Sequence, residues 1–166
     1  MKRIRAILAL LVVGALAASA LGVSASAARE EGNDTIVQTA IGAGQFTTLA
    51  SLLEKAGLVD TLANGGPFTV FAPTDAAFAK VPKKTLAAVG KDKAKLRSVL
   101  RYHVAKGKLD AAKVVKRSSV KTLNGKSVRV RVRDGKVTVG GARVIKPDVK
   151  ASNGVIHVIN KVLIPR

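Results

Sequence analysis

Helical spacing of apolar positions is the first pattern along the chain, over residues 35–64. Intervals of three, one and three separate the apolar residues of one helix face, which are Leu49, Leu52, Leu53 and Ala56. Gly57 follows directly, at a position typical of a left-handed C-terminal cap. We therefore predict helix across this region, followed by a turn at Asn64-Gly65-Gly66-Pro67.

The stretch FTVFAPTDAAF, residues 68–78, changes halfway from strand-like to helix-like composition. Phe68–Phe71 favours a strand, and Pro73 favours extended backbone before it. Thr74 then suits the N-cap of a helix, and Asp75 suits its first turn, where the helix dipole favours negative charge. The functional alternative makes Asp75 a general base or a metal ligand. The local sequence requires only the cap.

A second helix is predicted from Asp92, a favourable N-cap residue, to about Val104. Its two faces differ in polarity. The apolar face carries Leu96, Val99, Leu100 and His103, and the basic face carries Lys93, Arg97 and Arg101. We expect the His103 side chain to point into the core and the element to end at Gly107.

The segment SVRVRVRDGKVTVGG, residues 127–141, alternates between apolar and polar side chains almost strictly. Asp134-Gly135 within it is typical of a two-residue hairpin turn. Pairing Arg133 with Lys136 puts valine opposite valine on one face and polar opposite polar on the other. The pattern therefore predicts a half-buried hairpin in this register.

Strand character begins near residue 119 and continues to the end of the chain. Asn124-Gly125 and Asn153-Gly154 mark further turns. The segment VIHVINKVLI, residues 155–164, is apolar on both faces for much of its length, which is typical of a central strand. Because helices come first and strands mostly after them, we predict the α+β class.

The N-terminal residues have the pattern of a secretory signal peptide. Cations precede the small and apolar stretch Ala6–Val23, and Ala25-Ser26-Ala27 offers a cleavage site. The alternative is an uncleaved anchor, since the 18 residues of this stretch can just span a bilayer. We predict a signal peptide at 1–27, a short segment at 28–32 and a single domain at 33–165, with no stable membrane span after cleavage.

The chain is strongly basic and contains no cysteine. Without the three signal cations, 26 Lys and Arg stand against 10 Asp and Glu, a net charge of +16. Residues 106–150 alone hold 14 basic and 3 acidic side chains. Such a charge favours polyanionic neighbours. The absence of cysteine excludes disulfides, a thiolate metal site and a thiol nucleophile.

His103 and His157 are the only histidines, so they decide whether acid–base chemistry is available. A hydrolase would combine Asp75 and His103 with a serine or threonine, but the chain has no nucleophile-elbow motif. A metal site needs about three or four ligands, which no short spacing supplies. We predict no catalytic residue, no metal and no cofactor. Both imidazoles are interpreted as buried hydrogen-bonding groups, with His103 bonded to the segment containing Thr74 and Asp75.

Three segments together resemble the fasciclin domain, a family of extracellular adhesion modules. They are FTVFAPTDAAF at 68–78, RYHV at 101–104 and NGVIHVINKVLIP at 153–165. The resemblance implies helices packed against a twisted wedge of mostly antiparallel strands. It also implies structural roles for the motif residues, which are Thr74, Asp75, Tyr102, His103, Asn153, Gly154 and His157. Asn160 stands where family members usually carry Asp, which removes a negative charge.

The resemblance further implies an exported, non-enzymatic protein for cell adhesion or for binding a matrix or surface macromolecule. In animal members, the segment around Tyr-His and a Pro-Asp-Ile tripeptide are linked to integrin binding. Asp148, within Pro147-Asp148-Val149, is therefore a candidate binding residue. The alternatives are a core element and a solvated turn. We prefer these because signal and composition indicate a bacterial protein, located in the periplasm, the cell wall or the medium.

Arg129, Arg131, Arg133 and Lys136 form the most distinctive candidate binding surface. Alternate residues of a strand lie about 6.6 Å apart on one face, and guanidinium groups bind sulfate or phosphate in bidentate fashion. A rival hypothesis is thus that the basic region 106–150 binds an anionic polysaccharide or cell-wall polymer. The alternatives are a solvated sheet face or cations that protect a sheet edge. We expect a monomer. We expect no nucleic-acid partner, since few aromatic residues are present for base stacking.

Overall fold

Helices occupy the first part of the described chain and strands most of the second. The computed structural model describes residues 34–165, so the signal peptide predicted at 1–27 and the segment at 28–32 lie outside the described residues. The helices are α1 (Ile36–Gly42), α2 (Thr47–Ala56), α3 (Val59–Asn64), α4 (Asp75–Ala79), α5 (Lys83–Lys91), α6 (Lys93–Tyr102) and α7 (Ala111–Val114). The strands are β1 (Phe68–Pro73), β2 (Val104–Lys106), β3 (Ser119–Lys121), β4 (Ser127–Arg133), β5 (Lys136–Val139), β6 (Ala142–Ala151) and β7 (Gly154–Ile159).

The strands of residues 34–165 form one seven-stranded sheet in the order β2-β1-β7-β6-β5-β4-β3. β1 and β7 pair in parallel, and the other neighbours pair antiparallel. The α+β class and the mostly antiparallel sheet are thereby confirmed. β7 lies between β1 and β6 and is buried along its length, as predicted for a central strand. It ends at Ile159, however, and not at residue 164.

The β4–β5 hairpin has the predicted register. Asp134 and Gly135 have φ values of 53° and 71°, which suits a type I′ turn. Opposite each other lie Val130 and Val139, Arg131 and Thr138, Val132 and Val137, and Arg133 and Lys136. The valine face is buried near the middle of the sheet, whereas Val132, close to the turn, is 48% exposed. The hairpin tip thus extends beyond the core.

The helical region predicted at 35–64 is divided into three helices. Thr35 caps α1, because its hydroxyl oxygen accepts from the Gln38 N–H while the Gln38 side chain accepts from the Thr35 N–H. Gly57 ends α2 with φ of 68°, as predicted. No helix within residues 34–165 is long and apolar enough to cross a lipid bilayer.

The second predicted helix, α6, begins as expected but ends two residues early. The Asp92 carboxylate accepts from the N–H groups of Ala94 and Lys95. Val104 was expected inside the helix, but it opens β2 and pairs with Val70 of β1. The prediction was wrong there because pairing with the free edge of β1 outweighs continuation of the helical pattern.

The core has two parts, one on each face of β1 and β7. Val70 and Ile156 face the helices and pack with side chains of α1, α2 and α6. Phe71 and Ile159 face the other way and pack with the valines of β3, β4 and β5. Successive side chains of a strand point to opposite faces, so a strand between two layers buries side chains on both of its faces. The motif residues lie in or beside β1, α4, α6 and β7.

Candidate functional site

The His103 side chain is buried, with 2% of its surface exposed, and both of its ring nitrogens are hydrogen-bonded. Nδ1 lies 2.8 Å from the Val99 carbonyl oxygen, and Nε2 lies 2.9 Å from the Leu163 backbone nitrogen. Because the Leu163 N–H can only donate, Nε2 accepts and Nδ1 carries the proton. The Val99 carbonyl belongs to the last turn of α6, so the imidazole also caps that helix.

Burial lowers the pKa of His103 to about 4, and the hydrogen bond with the Val99 carbonyl opposes this shift only in part. The ring is therefore neutral at pH 7. The predicted bond between this imidazole and the segment of Thr74 and Asp75 is wrong, since both ring nitrogens have other partners. The connection to that segment is through the main chain, where the His103 carbonyl accepts from the Phe71 N–H at 2.8 Å.

His157 is buried to the same degree on the other side of β7. Its Nε2 lies 2.7 Å from the Leu109 carbonyl oxygen, and its Nδ1 accepts from the Asp148 N–H at 3.3 Å. Its ring stacks on Phe71 with centroids 5.7 Å apart. The imidazole thereby connects β7, the loop before α7 and the bend in β6. Both histidines are buried hydrogen-bonding groups, as the sequence predicts.

Thr74 and Asp75 cap two different helices. The Thr74 hydroxyl accepts from the Ala77 N–H at 3.2 Å, which confirms Thr74 as the N-cap of α4. The Asp75 carboxylate instead accepts from the N–H groups of Thr48 at 2.8 Å and Thr47 at 3.3 Å, at the start of α2. These hydrogen bonds, the one from Thr48 first, lower the pKa of the Asp75 carboxyl below its ordinary value. Sequence reasoning placed the acid correctly in the first turn of α4 but missed its partner.

Asn153 and Gly154 hold the start of β7 against the helices. The Asn153 side-chain oxygen accepts from the Ile36 N–H at 2.9 Å, and its amide nitrogen donates to the carbonyls of Leu62 and Gly65 at the end of α3. A Cβ atom on Gly154 would lie 1.9 Å from the Phe68 carbonyl oxygen, closer than any contact permits. The backbone of β1 therefore approaches to a distance that only glycine allows.

The side chains of the motif residues hydrogen-bond to several different elements of the fold. Tyr102 is partly buried against the second core cluster. Asp75 and His103 bond to different elements, so the geometry does not support the hydrolase hypothesis, in which they would act together. Among residues 34–165, no group of three or more His, Asp or Glu side chains is arranged to hold a metal ion.

Arg129, Arg131, Arg133 and Lys136 share the outer face of the β4–β5 hairpin, and all are exposed. Within residues 34–165, no ion pair joins any of them to a carboxylate. The name basic face is used below for these four residues. The register between β5 and β6 adds Arg143, which lies opposite Thr138 and so on the same side as Arg131. Sequence reasoning missed Arg143 because the residue pattern does not reveal how β5 pairs with β6.

Asp148 lies apart from the basic face and is engaged in the fold. Its φ is 55°, and its carboxylate accepts from the Ala111 N–H at 2.7 Å, at the start of α7. Asp110, the N-cap residue of α7, makes no side-chain cap of its own. Asp148 therefore performs that role from β6. Its predicted role in binding is not tested by this geometry and stays a prediction.

Asn160 is held by hydrogen bonds to the backbone of Arg143. Its side-chain oxygen accepts from the Arg143 N–H at 2.9 Å, and its own N–H donates to the Arg143 carbonyl at 3.1 Å. An uncharged amide satisfies this arrangement, since both partners are main-chain groups. No salt bridge is needed at this position.

Known proteins resemble the chain in both sequence and fold. The sequence model of the fasciclin domain family matches residues 44–165. Protein sll1483 of Synechocystis sp. (strain ATCC 27184 / PCC 6803 / Kazusa) is 47% identical over 133 residues, which cover 79% of this chain and 73% of that protein. The immunogenic protein MPB70 of Mycobacterium bovis is 37% identical over 137 residues, covering 80% and 69%. A FAS1 domain pair from the insect cell adhesion molecule fasciclin I matches 81% of this chain and 52% of that chain, with a TM-score of 0.66 at 22% identity. The chain belongs to the fasciclin domain family.

Proposed function

We propose that this chain is an exported, non-enzymatic adhesion module whose basic face binds anionic polymers of a cell surface or matrix. The observation that carries the proposal is the row formed by Arg129, Arg131, Arg133 and Lys136. These side chains are exposed, share one sheet face and have no carboxylate partner within residues 34–165. The structurally similar insect protein fasciclin I is a cell adhesion molecule, which supports adhesion as the general role.

Charge and geometry both favour a polymer with regularly spaced anions. Arginines at alternate strand positions are about 6.6 Å apart, so neighbouring guanidinium groups can contact successive sulfate or phosphate groups. Each contact is a charge-assisted hydrogen bond in addition to the long-range attraction. An extended polysaccharide can lie along β4 without any rearrangement of the sheet.

Edge protection is the competing explanation of the same cations. β3 pairs only with Ser127–Arg129, so the second half of β4 has no strand on the side away from β5 among the described residues. Arginines along such an edge prevent pairing with another chain. Edge protection requires only charge and predicts no saturable binding, so the two explanations are separated by experiment.

The absence of enzymatic activity is inferred from the engagement of the reactive side chains. Asp75, His103 and His157 all make hydrogen bonds within the fold, so no described imidazole is left to transfer a proton to a substrate. Family membership and the predicted signal peptide support action outside the cytoplasm. We propose that the exported form is a monomer.

The test is retention on immobilised heparin, a sulfated polysaccharide, over a sodium chloride gradient. The variant Arg129→Ser/Arg131→Ser/Arg133→Ser is compared with Lys55→Ser/Lys83→Ser/Lys84→Ser, which removes the same charge from α2 and α5. One cation near an anionic surface contributes about 1 kcal/mol, so the arginine variant should bind roughly 100-fold more weakly at low salt. The lysine variant should lose much less heparin affinity. Equal losses in the two variants, or no loss in the first, would contradict the proposal.

A further inference from the structure

A second surface feature, separate from the row on β4, is a groove between the segment after α4 and the segment after β7. It has a volume of about 440 Å³ and is lined by Lys80–Pro82, Arg143, Asn160–Val162 and Ile164. Ligand sites in proteins are commonly clefts of roughly 300–1,000 Å³. The groove, called the α4–β7 groove below, is large enough to receive a small molecule or part of a larger one.

The charges of the α4–β7 groove have one sign. Lys80, Arg143 and Lys161 reach it from three different parts of the chain, and no Asp or Glu of residues 34–165 lines it. Within the described residues, no carboxylate forms an ion pair with these cations. Three like charges around a partly enclosed space repel one another and are stabilised by an anion placed between them.

Asn160 adds a directional donor to this positive environment. Its side-chain oxygen is occupied by the Arg143 N–H, which fixes the orientation of the amide group. Its Nδ2 group has no protein partner among the described residues and can donate to a ligand oxygen. An aspartate here would accept the same hydrogen bond from Arg143, but it would place a negative charge in the groove.

The rest of the groove is apolar. Val81, Pro82 and Val162 contribute carbon surface, and Ile164 is 45% exposed although it is a large apolar residue. A fully hydrated polyanion would contact only the cations and leave this surface in water. An uncharged lipid would cover it but leave the cations without a counter-ion. A ligand that satisfies both halves has an anionic head and an apolar body.

We propose that the α4–β7 groove binds a small anionic amphiphile. Its carboxylate or phosphate head contacts Lys80, Arg143 and Lys161 and accepts from the Asn160 amide. Its apolar body covers Ile164 and the neighbouring Val81. This site goes beyond the polymer binding proposed for the basic face, because a hydrated polymer would not cover its apolar half.

The test follows the backbone amide resonances of the ¹⁵N-labelled protein during titration with octyl phosphate and octanoate. Octanol, which lacks the charge, and inorganic phosphate, which lacks the apolar body, are the matched probes. Both anionic amphiphiles should shift resonances of residues around the groove in a saturable manner. Each should bind at least tenfold more tightly than octanol and than inorganic phosphate. Octanol or inorganic phosphate binding equally tightly, or shifts confined to other residues, would overturn the proposal.

Asn160→Asp is the sharpest variant, because it keeps the acceptor for the Arg143 N–H while it removes the Nδ2 donor and places a negative charge in the groove. It should weaken octyl phosphate binding about tenfold and leave octanol binding unchanged. Lys80→Ser/Lys161→Ser should weaken the binding of octyl phosphate at least tenfold, whereas Lys55→Ser on α2 should leave this binding unchanged. Unchanged affinity for octyl phosphate in Asn160→Asp and in Lys80→Ser/Lys161→Ser would contradict the proposed site.

The two proposals fail independently. Arg129→Ser/Arg131→Ser/Arg133→Ser should lose heparin retention and keep octyl phosphate affinity, because none of these residues lines the groove. If that variant lost octyl phosphate affinity as well, the groove would not be a separate site. If heparin retention proved unaffected while groove binding held, only the polymer proposal would fall.

Discussion

The carboxylate of Asp75 accepts a hydrogen bond from the backbone N–H of Thr48 at 2.8 Å, across 27 residues of sequence. A second bond comes from the Thr47 N–H at 3.3 Å, and the Asp75 N–H itself donates to the Gln45 carbonyl at 2.9 Å. Phe46, the N-cap residue of α2, has no side-chain oxygen to supply these bonds. The first residue of α4 therefore caps α2, and the most conspicuous acid of the sequence is a connection between two helices.

Replacing Asp75 with alanine should destabilise the fold through the loss of this cap. Loss of a capping side chain costs about 1 kcal/mol of unfolding free energy, measured by urea denaturation. Because hydrogen bonds lower the pKa of Asp75, its contribution is present above the unfolded pKa of about 3.9 and is lost as the pH falls through the folded pKa. The difference between Asp75→Ala and the parent should therefore shrink in acid. A difference that grows in acid would contradict the assignment.

His103 should make the stability pH-dependent in a second range. Its pKa falls from 6.5 to about 4 on folding, so the unfolded chain binds more protons between these values. Stability is then highest above pH 6.5 and decreases as the pH falls towards 4, by roughly 3 kcal/mol in total for this group. His103→Gln keeps an acceptor for the Leu163 N–H but does not titrate. It should flatten this part of the urea-derived stability profile, and an unchanged slope would show that His103 is not its source.

Gly154 should tolerate no side chain. In Gly154→Ala the new Cβ would overlap the Phe68 carbonyl oxygen, and separating β1 from β7 should cost about 3 kcal/mol or more of unfolding free energy. Gly90→Ala, in α5, is the matched control, because the new Cβ would meet no atom within 4 Å. The control should stabilise the protein by about 0.5–1 kcal/mol. Similar free energies for the two variants would refute the close approach of the strands.

Asp148→Asn separates the structural role of this residue from a role in binding. Asparagine tolerates the positive φ of this position and keeps an acceptor for the Ala111 N–H. Its unfolding free energy should therefore stay within about 0.5 kcal/mol of the parent, while Asp148→Ala should lose about 1–2 kcal/mol. Loss of adhesion to immobilised matrix protein in Asp148→Asn, at unchanged stability, would identify a binding role for the charge.

Local features could be predicted from the sequence because neighbouring residues determine them. The hairpin at Asp134-Gly135 follows from strict alternation and one turn, and the Thr74 cap follows from the strand-to-helix change beside Pro73. His103 was expected to face the core because it continues the apolar stripe of α6. In each case the periodicity of a few residues contains the information.

The remaining features depend on contacts between distant residues. Asp75 reaches α2, and the His103 ring reaches Leu163, across 60 residues. The three-residue strand β2 is too short to show a period, so its residues resembled the end of a helix. Arg143 could have been placed beside the basic face only with the register between β5 and β6, in which it lies opposite Thr138.

The central claim is that the motif residues hold the fold together and the outer sheet face recognises the partner. Heparin affinity and the unfolding free energy, measured together on two variants, test it most directly. Arg129→Ser/Arg131→Ser/Arg133→Ser should bind roughly 100-fold more weakly with unfolding unchanged within about 0.5 kcal/mol. His157→Gln should lose about 2 kcal/mol of stability and, while folded, bind as the parent does. A stable His157→Gln protein that no longer binds heparin, beside an arginine variant that still does, would contradict the account.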